Sequence, residues 1–251
     1  MLKQLKKIIT ASPLLKVTSF NSVSVIIKMI TGLGVSKLTA YFLGPQGIAL
    51  IGNFRNFLNI AHNFSAGGLE RAVVKYTAET ENIQKQQKAF ISTLLGIGFG
   101  VCALVGILIF SFAKPINKLL FFEKDFVAVI QLLAFILPLH VLHVYVLAMM
   151  KAFEKFNDII RIHIIGHLLN LMVFAFLVYY FNLQGALFTL IIIPSVLVFF
   201  SLYYFREKWS IFKLFSWKYI EKKMLNNFGH YALMALISSI SFPLVFLGIR
   251  S

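Results

Sequence analysis

Six basic side chains, Lys28, Lys37, Arg55, Arg71, Lys75 and Arg250, fall inside long apolar runs of this 251-residue chain. A charge at mid-membrane costs at least ~2.5–3.5 kcal/mol on insertion scales, so such groups face protein or water rather than lipid. Lys75 and Arg250 stand near the ends of their runs, where a long side chain reaches the headgroups. Lys28 and Arg55 stand too deep for that. With about 3.6 residues per helical turn, Arg55, Asn56, Asn59, His62, Asn63 and Glu70 fall within one arc of roughly 120°, while Leu50, Ile51, Phe54, Leu58 and Val73 occupy the remainder. A helix with such a stripe can face neither lipid nor a dry core. Upstream, Asn21, Ser24, Lys28 and Thr31 recur at helical spacing as a second polar line. Lys37 falls on the opposite face of a straight helix, with Gly32 and Gly34 between to bend it. Glu70 is the one carboxylate within these runs, a coupling group or a charge partner. The chemistry that results is capture of an anion in a wet, net-positive cavity.

Histidines offer less. His140 with His143, and His163 with His167, share helical faces, and Asn170 extends the second line. No cysteine or carboxylate accompanies them inside the runs, so a metal centre is not expected and interhelical hydrogen bonds or proton binding account for them. A Gly-rich phosphate loop, a G-x-S-x-G elbow, an H-E-x-x-H pair and a paired carboxylate site are all missing from the sequence. No catalytic residue, cofactor or nucleotide is therefore expected, and the chain reads as something other than an enzyme.

The elements that must position these residues follow from composition. The chain is 59% hydrophobic and 13% charged, with a mean hydropathy of +0.83, too little charge to wet the surface of a soluble domain. Seven runs have the ~20 residues that a ~30 Å hydrocarbon core demands: 17–43, 48–77, 89–112, 127–150, 159–181, 184–205 and 230–250. Uniformly apolar runs of that length predict helices, since barrel strands are shorter and alternate. Gly44-Pro45-Gln46-Gly47, Lys114-Pro115, Asn157-Asp158 and Asn182-Leu183-Gln184-Gly185 punctuate them. Pro138, Pro194 and Pro243 mark expected kinks, and a Gly96-x-x-x-Gly100 pair marks an expected close approach between helices.

Basic residues divide unequally between the connecting segments. Fifteen lie on the side that holds the N-terminus, and Lys114, Lys118 and Lys124 alone lie opposite. By the positive-inside rule the N-terminus faces the cytoplasm. This clustering in short loops accounts for the net charge of +15 without any nucleic-acid partner. The expected layout is a basic cytoplasmic N-terminus over 1–16, a six-helix bundle over 17–205, a linker over 206–229 and a seventh helix over 230–251. Within the linker, Trp217, Ile220, Met224, Leu225 and Phe228 recur at helical spacing, as in an interfacial amphipathic helix.

Four motifs beginning near Lys28 carry a resemblance: K-L-x-A at 37–40, F-L-G-P-Q-G-I-A at 42–49, N-F-R-N at 53–56 and V-x-K-Y-T-A-E at 73–79. With YALMALISSISFPLVFLGIR over Tyr231–Arg250, they resemble the bacterial O-antigen and enterobacterial-common-antigen flippases of the multidrug/oligosaccharidyl-lipid/polysaccharide exporter superfamily. The resemblance implies an all-α integral membrane protein of the inner membrane, built as two six-helix bundles around a central cavity open alternately to each side. It implies an undecaprenyl-diphosphate-linked oligosaccharide as ligand, with membrane lipids and polysaccharide polymerase machinery as neighbours. Lys28, Lys37, Arg55 and Arg250 sit where the family has basic residues. Such proteins have about twelve helices, so seven imply one bundle plus the first helix of the next, as in a fragment.

Three functions remain open on these grounds. The leading one is a flippase of lipid-linked oligosaccharide, with Lys28, Lys37, Arg55, Asn56, Asn59, His62, Asn63 and Arg250 contacting substrate. A multidrug or cation antiporter would need an intramembrane acid, for which Glu70 is available. A membrane subunit of polysaccharide assembly would need long extracytoplasmic loops, which the sequence does not have.

Overall fold

The computed structural model describes residues 13–66, 69–80, 84–122, 124–208 and Tyr219. The predicted seventh helix with Arg250, most of the linker and the basic N-terminus up to residue 12 lie outside the described residues. Six helices follow in chain order: α1 (Pro13–Ala66), α2 (Glu70–Thr80), α3 (Gln84–Ser111), α4 (Ala113–Phe121), α5 (Val127–Ala152) and α6 (Phe156–Tyr204). Among the described residues four stretches are long and apolar enough to cross a bilayer, and two of these, at 63 and 49 residues, have length for two crossings. The chain is an all-α, multi-pass membrane protein.

The long stretches double by breaking at single residues. Asn182 adopts φ 47, ψ −127 within α6, a left-handed geometry in which asparagine is one of the few tolerated side chains. Eight residues of straight helix would separate Leu177 from Gly185 by ~12 Å. Instead a Cβ built on Gly185 would lie 2.0 Å from the Leu177 carbonyl oxygen, so the chain doubles back on itself. Gly166 against Leu197 continues the same antiparallel pairing. In α1 the break is at Gly44, with φ 63 and ψ −170, a conformation open essentially to glycine alone. Pro45 follows directly and cannot donate the hydrogen bond that would continue the ladder. Six membrane passes result within the described residues, matching the first six predicted runs.

Packing fixes how the passes run. Gly34 meets Leu171, and Phe42 meets Tyr179 edge-on at 6.2 Å between centroids, so the first and fifth passes are parallel neighbours. His62 meets His140, Ala66 accepts a hydrogen bond from the Tyr145 hydroxyl at 3.3 Å, and Glu70 pairs with Lys151. The second and fourth passes are therefore parallel too. Gly98 against Tyr145 and Gly106 against the Ala134 carbonyl set α3 antiparallel to α5. The expected Gly96/Gly100 contact is corrected at Gly100. Gly100 has open space beside it, and the close approaches belong to Gly98 and Gly106.

Two further departures concern helix ends. The second predicted run, 48–77, is not one helix, because α1 ends at Ala66 and α2 starts at Glu70. The predicted loop after the third run contains α4, whose Ala113, Asn117 and Phe121 are buried. Asn117 explains its stability: the side-chain amide donates to the Lys124 carbonyl at 2.9 Å, and its oxygen accepts from the Phe126 N–H at 2.8 Å. One side chain thus satisfies two backbone groups between α4 and α5. The fully buried core, with Phe54, Phe90, Leu94, Leu133, Tyr145 and Phe174, joins α1, α3, α5 and α6. Leu104, Ile107, Phe135, Met172 and Phe199 are exposed on the outside, as a lipid-facing surface requires.

Candidate functional site

The polar stripe of the second pass lies opposite its packed face. Leu50, Ile51, Phe54, Leu58, Ala61 and Ser65 are buried against the bundle. Arg55, Asn56, Asn59 and Asn63 are exposed along the other side of the same helix. The separation follows from the period of the sequence: apolar residues at steps of three and four take the core, and the amides between them are left outside it. His62 sits at the seam, half-buried. Glu70 does not extend the stripe, since it heads α2 beyond the break and is paired with Lys151 at the end of α5.

In the first pass, Lys28 and Lys37 are both exposed. Ser24 and Thr31 are buried on the packed side, and the Thr31 hydroxyl donates to the Ile27 carbonyl at 2.8 Å. Thr39, Ser65, Thr189 and Ser195 likewise donate to a carbonyl four residues back. Hydroxyls satisfied within their own helix add no interhelical glue. Lys28 is within electrostatic reach of His163 and His167 on the parallel fifth pass, and Lys151 within reach of His163. The structure therefore brings Lys28, His163, His167 and Lys151 into one neighbourhood, which sequence spacing did not join because they lie on three helices. Lys37, nine residues past Lys28, is not part of it, and Arg250 lies outside the described residues.

The histidines form a string. The rings of His62 and His140 stack at 3.4 Å between centroids and 14° between planes. His143 Nδ1 shares a hydrogen bond with the Ser201 hydroxyl at 2.7 Å, and His163 is within electrostatic reach of His143. Among the described residues no group of three His, Cys, Asp or Glu converges as metal ligands would. At the basic end, Lys155 bridges to Glu207 just past α6, and this hydrogen-bonded ammonium holds the Glu207 carboxyl below the usual carboxylate range. Two grooves among the described residues are apolar instead. One of about 310 Å³ between α3 and α5 is lined by Cys102, Gly106, Phe110, Phe135 and Pro138, with no charged side chain among them.

Comparison with known proteins fixes the family. The family model described as polysaccharide biosynthesis protein matches residues 14–250. The chain belongs to that family. It is 24% identical over 248 residues to the Lipid III flippase of Escherichia coli (strain K12), and equally to the Lipid III flippase of Shigella flexneri. Each match covers 94% of this chain and 57% of the relative, so the chain spans little more than half the length of the curated relatives it matches. In fold it is similar to a MATE protein in complex with Br-NRF, at a TM-score of 0.67 and 16% identity, over 92% of this chain and 55% of that one. A point mutant of MATE superposes at 0.65 with 17% identity and the same coverage. The exporter-superfamily resemblance read from the four motifs agrees with both findings.

Proposed function

We propose that this chain forms the cationic half of a transporter that carries an undecaprenyl-diphosphate-linked oligosaccharide across the bacterial inner membrane by alternating access, with its N-terminus in the cytoplasm. The observation that carries the reading is the exposed line of Arg55, Asn56, Asn59 and Asn63 on a membrane helix. A diphosphate provides the negative charge that Arg55 and Lys28 favour, and guanidinium groups grip phosphate oxygens in a bidentate way. The amides suit sugar hydroxyls, as donors and acceptors on one rigid face. The apolar groove between α3 and α5 suits the polyprenyl tail, which stays in lipid while the headgroup crosses. Polysaccharide polymerase machinery would receive the product, and the role calls for no catalytic residue or resident cofactor.

Support also comes from relatives named Lipid III flippase and from membership of a polysaccharide biosynthesis family. The antiporter alternative is less well supported, because Glu70 is engaged by Lys151 at the end of the bundle rather than set within the stripe. The direct test is Arg55→Ala in the full-length protein. Surface polysaccharide should fall at least ten-fold while the amount of protein in the membrane stays unchanged. Normal export by that variant would remove Arg55 from the binding site.

A further inference from the structure

The basic residues on the face opposite the N-terminus are not explained by anion capture in the cavity. Lys114, Lys118 and Lys124 all fall in one connection, while the other two on that face, 44–47 and 182–185, carry no charge. Short translocated segments are normally poor in lysine, because basic residues hold a segment on the cytoplasmic side. Lysines gathered in one such segment against that tendency point to an anion. Two of them stand on α4. Its Ala113, Asn117 and Phe121 are buried at steps of one turn, so the helix is docked by a single stripe. Phe121 packs on Phe54 of the second pass at 5.8 Å between ring centroids, and Asn117 ties α4 to the start of α5. Lys114 and Lys118 occupy the adjacent stripe and are exposed, with Leu119 and Phe122 exposed beside them. A docked helix that shows lysines and large apolar side chains together lies at the boundary between headgroups and acyl chains. Among the described residues no carboxylate pairs with Lys114 or Lys118. The Asp125 carboxylate is engaged instead by the Val127 N–H, at 3.1 Å.

The apolar groove between α3 and α5 begins one turn away. Phe110 and Ser111 line its end and precede Lys114 by four and three residues, so a single helical turn separates groove from cation. On α3 the lining runs from Cys102 to Ser111, about 13 Å of helix, all in the half of α3 nearer α4. Gly106 supplies no side chain to fill the space, and the rings of Phe110 and Phe135 meet edge-on at 5.6 Å in its wall. The groove thus lies in the same leaflet as the headgroups that α4 faces. One groove beneath a pair of cations matches a lipid with a single long tail and a phosphate head. A two-chain phospholipid would leave one chain outside. Resting on the flippase reading, we propose that α4 and this groove form an exit site for the translocated lipid. The polyprenyl tail lies in the groove and the diphosphate is held by Lys114 and Lys118. Lysine binds phosphate as a mobile point charge, without the bidentate fork of arginine, which suits a station passed on leaving.

The test places a photoreactive amino acid at Ile107, in the groove lining, or at Leu104, one turn back on the same helix and outside that lining, both being exposed. The full-length protein is reconstituted in liposomes of phosphatidylethanolamine and phosphatidylglycerol with a labelled undecaprenyl-diphosphate-linked saccharide. Capture of the polyprenyl lipid from Ile107 should exceed that from Leu104 several-fold. Lys114→Gln with Lys118→Gln should bring it down to the Leu104 level, and Lys114→Arg with Lys118→Arg should retain it, at unchanged recovery of folded protein. Equal capture from the two positions, an excess indifferent to the glutamine pair, or an equal excess with labelled phosphatidylglycerol as the probe would overturn the exit site. Flipping measured in the same liposomes separates the two readings. Wild-type flipping without excess capture at Ile107 removes the exit site and leaves the flippase reading standing, whereas no flipping by wild type refutes the flippase reading itself.

Discussion

Glu70 shows how one contact decides between roles. Read in sequence it sits at the foot of a polar stripe, available as a coupling acid. In the structure it starts α2 and its carboxylate is taken by Lys151. Both partners are more than a third exposed, so the bridge adds little stability. Glu70→Gln should leave export above half of wild type, read as surface polysaccharide, whereas loss to background would restore an acid-dependent mechanism. Glu207 behaves differently with pH. Its carboxyl is held below the usual range by Lys155, so the bridge is present at neutral pH and is lost as pH falls through that lowered value. Because Glu207 is exposed, Glu207→Gln should shift the thermal midpoint of the detergent-solubilised protein by no more than about 2 °C. A larger shift would mean that the bridge also orders the segment beyond α6.

At the scale of elements, the breaks carry the prediction. Gly44 has a backbone conformation that costs other residues about 1–3 kcal/mol, so Gly44→Ala should lower stability by that amount in denaturant titration of the full-length protein. Gly98→Leu must displace Tyr145, which a Cβ at that position would already meet at 2.5 Å, and the folded protein recovered from membranes should drop several-fold. Gly100→Leu meets open space and should be recovered at wild-type levels. Equal recovery of the two variants would contradict the packing of α3 on α5. Much of this architecture was legible beforehand. Hydrophobic run lengths gave seven passes, the first six of which fall within the described residues, and Gly44-Pro45 and Asn182 marked two of their ends, since chain reversal demands special backbone angles. Run length could not reveal the turn at Leu69, which lies inside one apolar run, or α4, whose Lys114, Pro115 and Lys118 read as a loop. Nor could it choose among Gly96, Gly98, Gly100 and Gly106, because which glycine meets a neighbour depends on the register of α3 on α5.

Across the whole molecule, the stripe on the second pass was legible because amphipathicity is a property of one helix. The neighbourhood of Lys28, His163, His167 and Lys151 was not, since it needs the parallel pairing of the first and fifth passes and the docking of α5 on α6. The same holds for the His62–His140 stack: each histidine is visible in sequence, but their contact depends on the second and fourth passes running parallel. On the proposed flippase reading, the exposed face that carries Arg55, Asn56, Asn59 and Asn63 serves as the binding wall for a headgroup with phosphate at its base. The central claim is that this wall touches a lipid diphosphate. A photoreactive amino acid placed at Asn59 in the full-length protein should label an undecaprenyl-diphosphate-linked saccharide in membranes at least ten-fold above the same group at Leu104 on the lipid-facing side, and Lys28→Gln with Arg55→Gln should abolish that excess. Equal labelling from the two positions, or labelling indifferent to the loss of both cations, would contradict the account.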